Sequence, residues 1–171
     1  MFLHFRELFS SGIDKGYMIR AYTSEDKEKL VELLQLNIPQ YFHREEEEDF
    51  IDYLDHHAQN YFVVEDSNKI IGSGGINYLA DNTEARISWD IIHPNFQGKG
   101  VGRQLTQFRM DLIKTNPEVE VIIVRTTQLV YKFYERMGFT LERTEKDFWA
   151  KGFDLYQMKI PLKSDTAAGK A

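Results

Sequence analysis

The chain has 171 residues, 42% of them hydrophobic and 28% charged, with a formal net charge of −6. This describes one globular domain with a sizeable core; it excludes a basic nucleic-acid surface, and no apolar run approaches the roughly 20 residues of a membrane helix. There is no cysteine, so disulfides and a covalent acyl-thioenzyme are excluded, and a cytoplasmic protein without a secretory leader is expected.

Residues 1–16 end in the loop-like series Ser10-Ser11-Gly12-Ile13-Asp14-Lys15-Gly16 and read as an N-terminal extension without a catalytic part. Tyr17 to Tyr22 reads as the first strand. Thr23 or Ser24 can then cap a helix whose first turn holds Glu25 and Asp26, acids that complement the helix dipole. Leu30, Leu33 and Leu34 form its apolar stripe, and Pro39 ends the segment. Glu45 to Leu54 reads as a second helix with its acids at the N-terminal end. Tyr61–Glu65 and Lys69–Leu79 read as a hairpin, with Gly72, Gly74 and Gly75 marking a bulge or a close backbone approach. Ala85, Ile87, Trp89 and Ile91 alternate as a half-buried strand that Pro94 ends. Leu105, Phe108, Leu112 and Ile113 recur at helical intervals, and Asn116-Pro117 breaks the helix. Strands over Val119–Val124, Phe139–Arg143 and Phe153–Ile160 complete the set, and 163–171 reads as a disordered tail. The expectation is a single α/β domain over 17–162, its sheet packed on both faces by about four helices.

Between the fourth strand and the third helix lies Gln97-Gly98-Lys99-Gly100-Val101-Gly102-Arg103. Glycine admits positive φ and close approach of a ligand, while free N–H groups at a helix start favour an anion. Lys99 and Arg103 add local positive charge to an acidic chain, which a polyanionic ligand needs. A nucleotide P-loop requires G-x-x-x-x-G-K-[ST], and a dinucleotide fingerprint requires glycine where Arg103 stands. The spacing that fits is Q/R-x-x-G-x-G/A, met by Gln97, Gly100 and Gly102. With the later Tyr131-Lys132-Phe133-Tyr134-Glu135-Arg136-Met137-Gly138-Phe139, it resembles two motifs of the GNAT N-acetyltransferase superfamily. These are the acetyl-CoA pyrophosphate loop and the F/L-Y-E-x-x-G-F element, in the family's order, and the resemblance spans roughly Met18 to Leu162.

That resemblance implies a GNAT-type acyl-CoA N-acyltransferase fold. Its central sheet is mixed and mostly antiparallel, of about six to seven strands, splayed between the fourth and fifth. It implies acetyl-CoA as cosubstrate, contacted by Ile91, Ile92, Gln97, Gly98, Lys99, Gly100, Val101, Gly102, Arg103, Thr127 and Phe133. A main-chain N–H at or beside Ile92 is expected to meet the thioester carbonyl. Tyr134 matches the tyrosine that commonly protonates the departing CoA sulfur, and a phenol with pKa about 10 stays protonated at neutral pH. Two departures stand out: Thr127 replaces a common asparagine, and Arg86 falls where some members carry a glutamate base. Glu84 and Asp90 are therefore the candidate bases, on one side of the strand if it is regular. His43, His56 and His57 lack metal-ligand spacing, so no metal is expected. The implied activity is direct acetyl transfer from acetyl-CoA to a primary amine in a ternary complex, a small molecule favoured over a peptide. A monomer or homodimer without nucleic-acid or membrane partners is expected; the alternative is a non-catalytic or regulatory acyl-CoA-binding protein.

Overall fold

The computed structural model describes residues 17–79 and 81–163. The expectations for 1–16 and for the tail beyond 163 lie outside those residues. Seven strands are described: β1 Met18–Ala21, β2 Tyr61–Asp66, β3 Lys69–Tyr78, β4 Glu84–Ile92, β5 Val121–Thr126, β6 Thr140–Ala150 and β7 Phe153–Pro161. The helices are α1 Lys27–Gln35, α2 Glu46–His56, α3 Val101–Lys114 and α4 Tyr131–Arg136. One sheet holds the strands in the order β1-β2-β3-β4-β5-β7-β6. The β4–β5 pair is parallel and every other pair antiparallel. The mixed, mostly antiparallel α/β fold expected from the sequence is what forms.

Each helix packs an apolar stripe on the sheet; of the α3 stripe expected, Leu105 and Ile113 are buried and Phe108 and Leu112 half-buried. Leu30, Leu33 and Leu34 of α1 and Phe50, Tyr53 and Leu54 of α2 pack with Tyr61, Val63 and Ile91 on one face of the sheet. On the other face Met110 and Ile113 of α3 and Tyr134 of α4 pack with Ala85, Ile87, Ile122, Val124 and Met158. Four acids, Glu46 to Asp49, lie in the first turn of α2.

β3 spans Gly72, Gly74 and Gly75 as one strand with both the irregularity and the close approach that those glycines predict: its pairing with β4 shifts between Ser73 and Gly75, and a Cβ at Gly75 would lie 2.5 Å from Tyr53 Oη and 2.7 Å from Tyr61 Cδ2. β6 extends to Ala150, well past the Arg143 expected, although it is exposed along most of its length. Its Glu142-Arg143-Thr144-Glu145-Lys146 segment has no apolar alternation to read. Cross-strand bonds to β7 hold it: Glu142 accepts from Gln157 Nε2 and Lys159 Nζ, both at 2.8 Å.

The β1 edge is tied to the helical layer by Arg20. Its guanidinium donates to both oxygens of the buried Asp26 at 2.7 and 2.9 Å, and to Glu65 at 2.6 Å. These bonds hold the Asp26 carboxyl down at about 2. The folded value lies below that of the unfolded chain, so the stabilisation is whole above about pH 4 and is lost as the pH falls towards 2. Asp26→Asn is expected to cost about 1–2 kcal/mol at neutral pH and to flatten the acid limb of the urea midpoint between about pH 4 and 2. An acid limb as steep as that of the parent protein would contradict this.

Candidate active site

The site is built where β4 and β5 part. β4 pairs with β5 over Glu84–Ile87 opposite Val121–Val124, whereas β5 keeps its pairing with β7 through Thr126. Within β4, Trp89 takes φ +52°, and the partners step from Ser88↔Gly75 to Ile91↔Ser73. Two residues, Trp89 and Asp90, thus stand against Gly74 alone, which is a β-bulge. Tyr61 fixes it: the buried phenol donates to the Trp89 carbonyl at 2.9 Å and lies 3.0 Å from Ser73 Oγ.

The bulge reverses the alternation of the strand. Ala85 and Ile87 face α3 and α4, but Trp89 and Ile91 join the α1–α2 core. Ile92 packs on the α3 side with Val101 and Leu105. The expectation that Glu84 and Asp90 share a side is therefore corrected: Glu84 shares the α2 side with Ser88, and Asp90 turns to α3. Beyond the bulge, the His93 N–H donates to the Ile71 carbonyl at 2.8 Å, so the alternation of an antiparallel ladder points the Ile92 N–H away from β3 and into the gap.

At the mouth of the gap the chain turns through Pro94–Phe96 and enters α3 from Gly100, whose φ is +88°. Lys99 N–H donates to the Phe96 carbonyl at 3.4 Å, but the N–H groups of Gly98, Gly100, Val101, Gly102 and Arg103 have no hydrogen-bond partner among the described residues; within α3, Gln104 N–H is the first to bond, to the Gly100 carbonyl at 3.0 Å. This is the row of unsatisfied donors that a helix start presents to an anion. A Cβ at Gly98 or Gly100 would meet nothing within 4 Å, so this surface is open. Lys99 Nζ lies 5.2 Å from the Phe96 ring centroid, and Arg103 is exposed.

Behind the gap lies a buried polar group that sequence reasoning missed. Arg109, with no exposed surface, forms a two-pronged pair with Asp90, its Nη1 on Oδ1 and its Nη2 2.8 Å from Oδ2. It also donates to the carbonyls of Gly75 at 3.1 Å and Leu105 at 3.2 Å. The Tyr134 hydroxyl donates to Asp90 Oδ2 at 2.5 Å. Burial, then the neighbouring Asp90 charge, push the Tyr134 phenol well above its ordinary value. Burial alone would lower Arg109; the Asp90 carboxylate more than offsets it. Gly74 makes the room, since a Cβ there would lie 2.6 Å from Arg109 Nη1 and 2.7 Å from Asp90 Oδ1. A signal existed in the sequence: Arg109 sits four residues from both Leu105 and Ile113, and a charge inside an apolar stripe demands a buried partner.

The remaining candidates fall as follows. Gln97 turns inward, donating to Asn37 Oδ1 at 3.1 Å and the Ile92 carbonyl at 3.3 Å, so it braces the loop. Phe133 stands beside Gly102, 3.6 Å from where a Cβ would be, with Ile92 Cγ1 at 3.7 Å. Thr127 Oγ1 accepts the Leu129 N–H at 3.3 Å in the turn into α4. Ile91 is buried in the core, which leaves only its main chain for a ligand. Glu84 accepts from Arg86 at 3.0 Å opposite Val121, at the far end of β4 from the loop. The structure thus brings Ile92, Gly98–Arg103, Phe133, Asp90 and Tyr134 around one gap, and leaves Glu84 outside it. No group of three or more His, Asp or Glu placed to hold a metal, and no helix long and apolar enough to cross a membrane, occurs among the described residues.

The family model described as acetyltransferase (GNAT) domain matches residues 22–162. The chain belongs to this family. Solved structures repeat the GNAT fold. The ribosomal-protein-S18-alanine N-acetyltransferase from Escherichia coli superposes with a TM-score of 0.71 at 16% identity, over 90% of this chain and 100% of its own. An N-acetyltransferase from Staphylococcus aureus Mu50 gives 0.70 at 17%, over 86% and 99%. An aminoglycoside 6′-N-acetyltransferase complexed with coenzyme A gives 0.71 at 12%, over 86% and 98%. At such identities the likeness is one of fold. None of the curated proteins matches the sequence.

Removing one partner of a buried ion pair strands the other, whereas neutralising both does not. Arg109→Met is expected to destabilise this GNAT domain by about 3–5 kcal/mol, and Arg109→Met with Asp90→Asn to recover part of that loss in urea melts. Equal losses in the single and double variants would show that the two side chains are not coupled.

Proposed function

We propose that the domain transfers an acetyl group directly from acetyl-CoA to a primary amine on a small molecule, both bound at once. The observation that carries this reading is the set of N–H groups of Gly98 and of Gly100 to Arg103, unpartnered among the described residues, beside an open edge of β4. Those donors, with Lys99 and Arg103, suit a diphosphate in a protein whose net charge would otherwise repel it. Thioester and pantetheine then lie along β4, with Ile92 and Phe133 as neighbours.

In this reading the Ile92 N–H donates to the carbonyl oxygen as it gains charge. The amine nitrogen bonds to the acetyl carbon, the carbon–sulfur bond breaks, and Tyr134 gives its proton to the sulfur, regaining one from water. Before the transfer the Tyr134 O–H is donated to Asp90 Oδ2, which positions the phenol, and the hydroxyl turns from Asp90 to the sulfur for the step. Both Asp90 oxygens are engaged and Glu84 is remote, so neither takes the amine proton; the acceptor reacts as the free base and its surplus proton goes to water.

Acetyl-CoA is expected to raise the melting temperature, and free thiol to appear when an amine panel is added. Gly100→Val, strained at φ +88°, is expected to weaken acetyl-CoA binding by about tenfold or more. Tyr134→Phe is expected to lower kcat by about 100-fold with acetyl-CoA affinity unchanged. An unaltered rate across the pH range removes Tyr134 from the reaction. Stabilisation by acetyl-CoA with no thiol release from any amine would identify a non-catalytic acyl-CoA-binding protein instead.

A further inference from the structure

On the sheet face that carries α1 and α2, three guanidinium groups gather at the point where β4 and β5 separate. Arg125 is opposite Gln157 of β7, which is opposite Arg143 of β6. Arg86 is opposite Ile123, two residues before Arg125 on the same strand. Cross-strand partners share a face, as do residues two apart, so Arg86, Arg125 and Arg143 stand on one face. That face is the one on which Asn77, the partner of Arg86, accepts from Tyr53 of α2 at 3.0 Å.

Two of the three have acidic partners: Arg86 donates to Glu84 at 3.0 Å, and Arg143 to Glu145 at 3.2 Å. Arg125 has neither a hydrogen bond nor an ion pair among the described residues, and its Nε is buried. The Nε of Arg86 is likewise buried without a partner. Arg125 is nevertheless fixed in place, its guanidinium carbon 4.7 Å from the Phe148 ring centroid and 5.3 Å from that of Trp149. Trp149 is itself held, donating to the Thr126 carbonyl at 3.3 Å. Burial draws the Arg125 pKa down, and the charges of Arg86 and Arg143 draw it further, against partial relief from Glu145. A stacked, partly desolvated guanidinium of this kind is complementary to an oxyanion, which would satisfy its forked donors and cancel the repulsion.

Its position gives that anion a use. Val124 is the last β5 residue paired with β4, so Arg125 is the first residue past the apex of the gap, on the face opposite α3 and the phosphate loop. An acceptor entering from this face would meet Arg125 before it reached the Ile92 end. We infer that Arg125, flanked by Arg86, binds an oxyanion of the acceptor, so that the substrates are amines bearing a carboxylate, phosphonate or phosphate. The inference rests on the acetyltransferase reading above and narrows its acceptor class.

The test follows thiol release from acetyl-CoA with matched acceptors. One arm holds amino acids and ω-amino acids, a second their carboxamides, a third aminoalkylphosphonates and aminoalkyl phosphates, and a fourth alkylamines and polyamines. The acids of the first or third arm are expected to exceed their neutral counterparts by about tenfold or more in kcat/KM, and whichever is faster names the oxyanion. Arg125→Gln is expected to erase that preference, about 10- to 100-fold through KM, while acetyl-CoA raises its melting temperature as it does for the parent. Arg125→Lys, which keeps the charge and loses the fork, is expected to fall between the two. Preference for amides or polyamines, or a preference for acids that survives Arg125→Gln, overturns the inference and leaves acetyl transfer standing. Thiol release from no arm, with acetyl-CoA still bound, overturns the inference together with the catalytic reading; failure of acetyl-CoA to bind removes the foundation of both.

Discussion

The bulge at Trp89 is the constraint from which the rest of the site follows. β4 cannot hold both neighbours along its length once an extra residue turns it, and it keeps β3 while leaving β5. The Tyr61 phenol takes the Trp89 carbonyl, which lies in the irregular part of the ladder. Gly72, Gly74 and Gly75 keep β3 narrow enough for Ile92, the Arg109–Asp90 pair and the two α2-side tyrosines to lie over it. One irregular residue thus opens an edge and frees an amide. It also carries Asp90 to the side where Arg109 waits.

Charge is distributed to match. The chain is acidic overall, yet each side of the gap presents hydrogen-bond donors without a partner among the described residues. On one side the positive end is made of main chain, the unpartnered amides before and at the start of α3. On the other it is made of guanidinium, with Arg125 lacking the acid that its neighbours have. Between them Asp90 is the negative centre, half-buried against the buried Arg109 and Tyr134, and the three groups bond to one another. That arrangement leaves neither Asp90 oxygen without a hydrogen bond.

Several features were legible in the residues alone. The Gln97-x-x-Gly100-x-Gly102 spacing, the apolar stripes of α1 and α3, the Pro94 stop and the Tyr131–Phe139 element are local patterns, and each reappears at its place. They are legible because helix periodicity, strand endings and positive-φ turns depend on residues a few positions apart. The mixed, mostly antiparallel sheet and its parting between the fourth and fifth strands came with the family resemblance that those patterns carried; the strand order and the parallel β4–β5 pair are seen only in the structure.

What the tertiary structure alone decided is non-local. Ser88-Trp89-Asp90 contains neither glycine nor proline to announce a bulge; Gly74 opposite and Tyr61 beneath create it, from 15 and 28 positions away. The length of β6 depends on bonds to β7 and not on its own alternation, and Arg109 acquires its meaning from Asp90, 19 residues earlier. The gathering of Arg86, Arg125 and Arg143 is a matter of register across four strands. A sequence states which side chains are available and what each short stretch prefers. Which of them meet, and which donor is left without a partner, is settled when distant strands align.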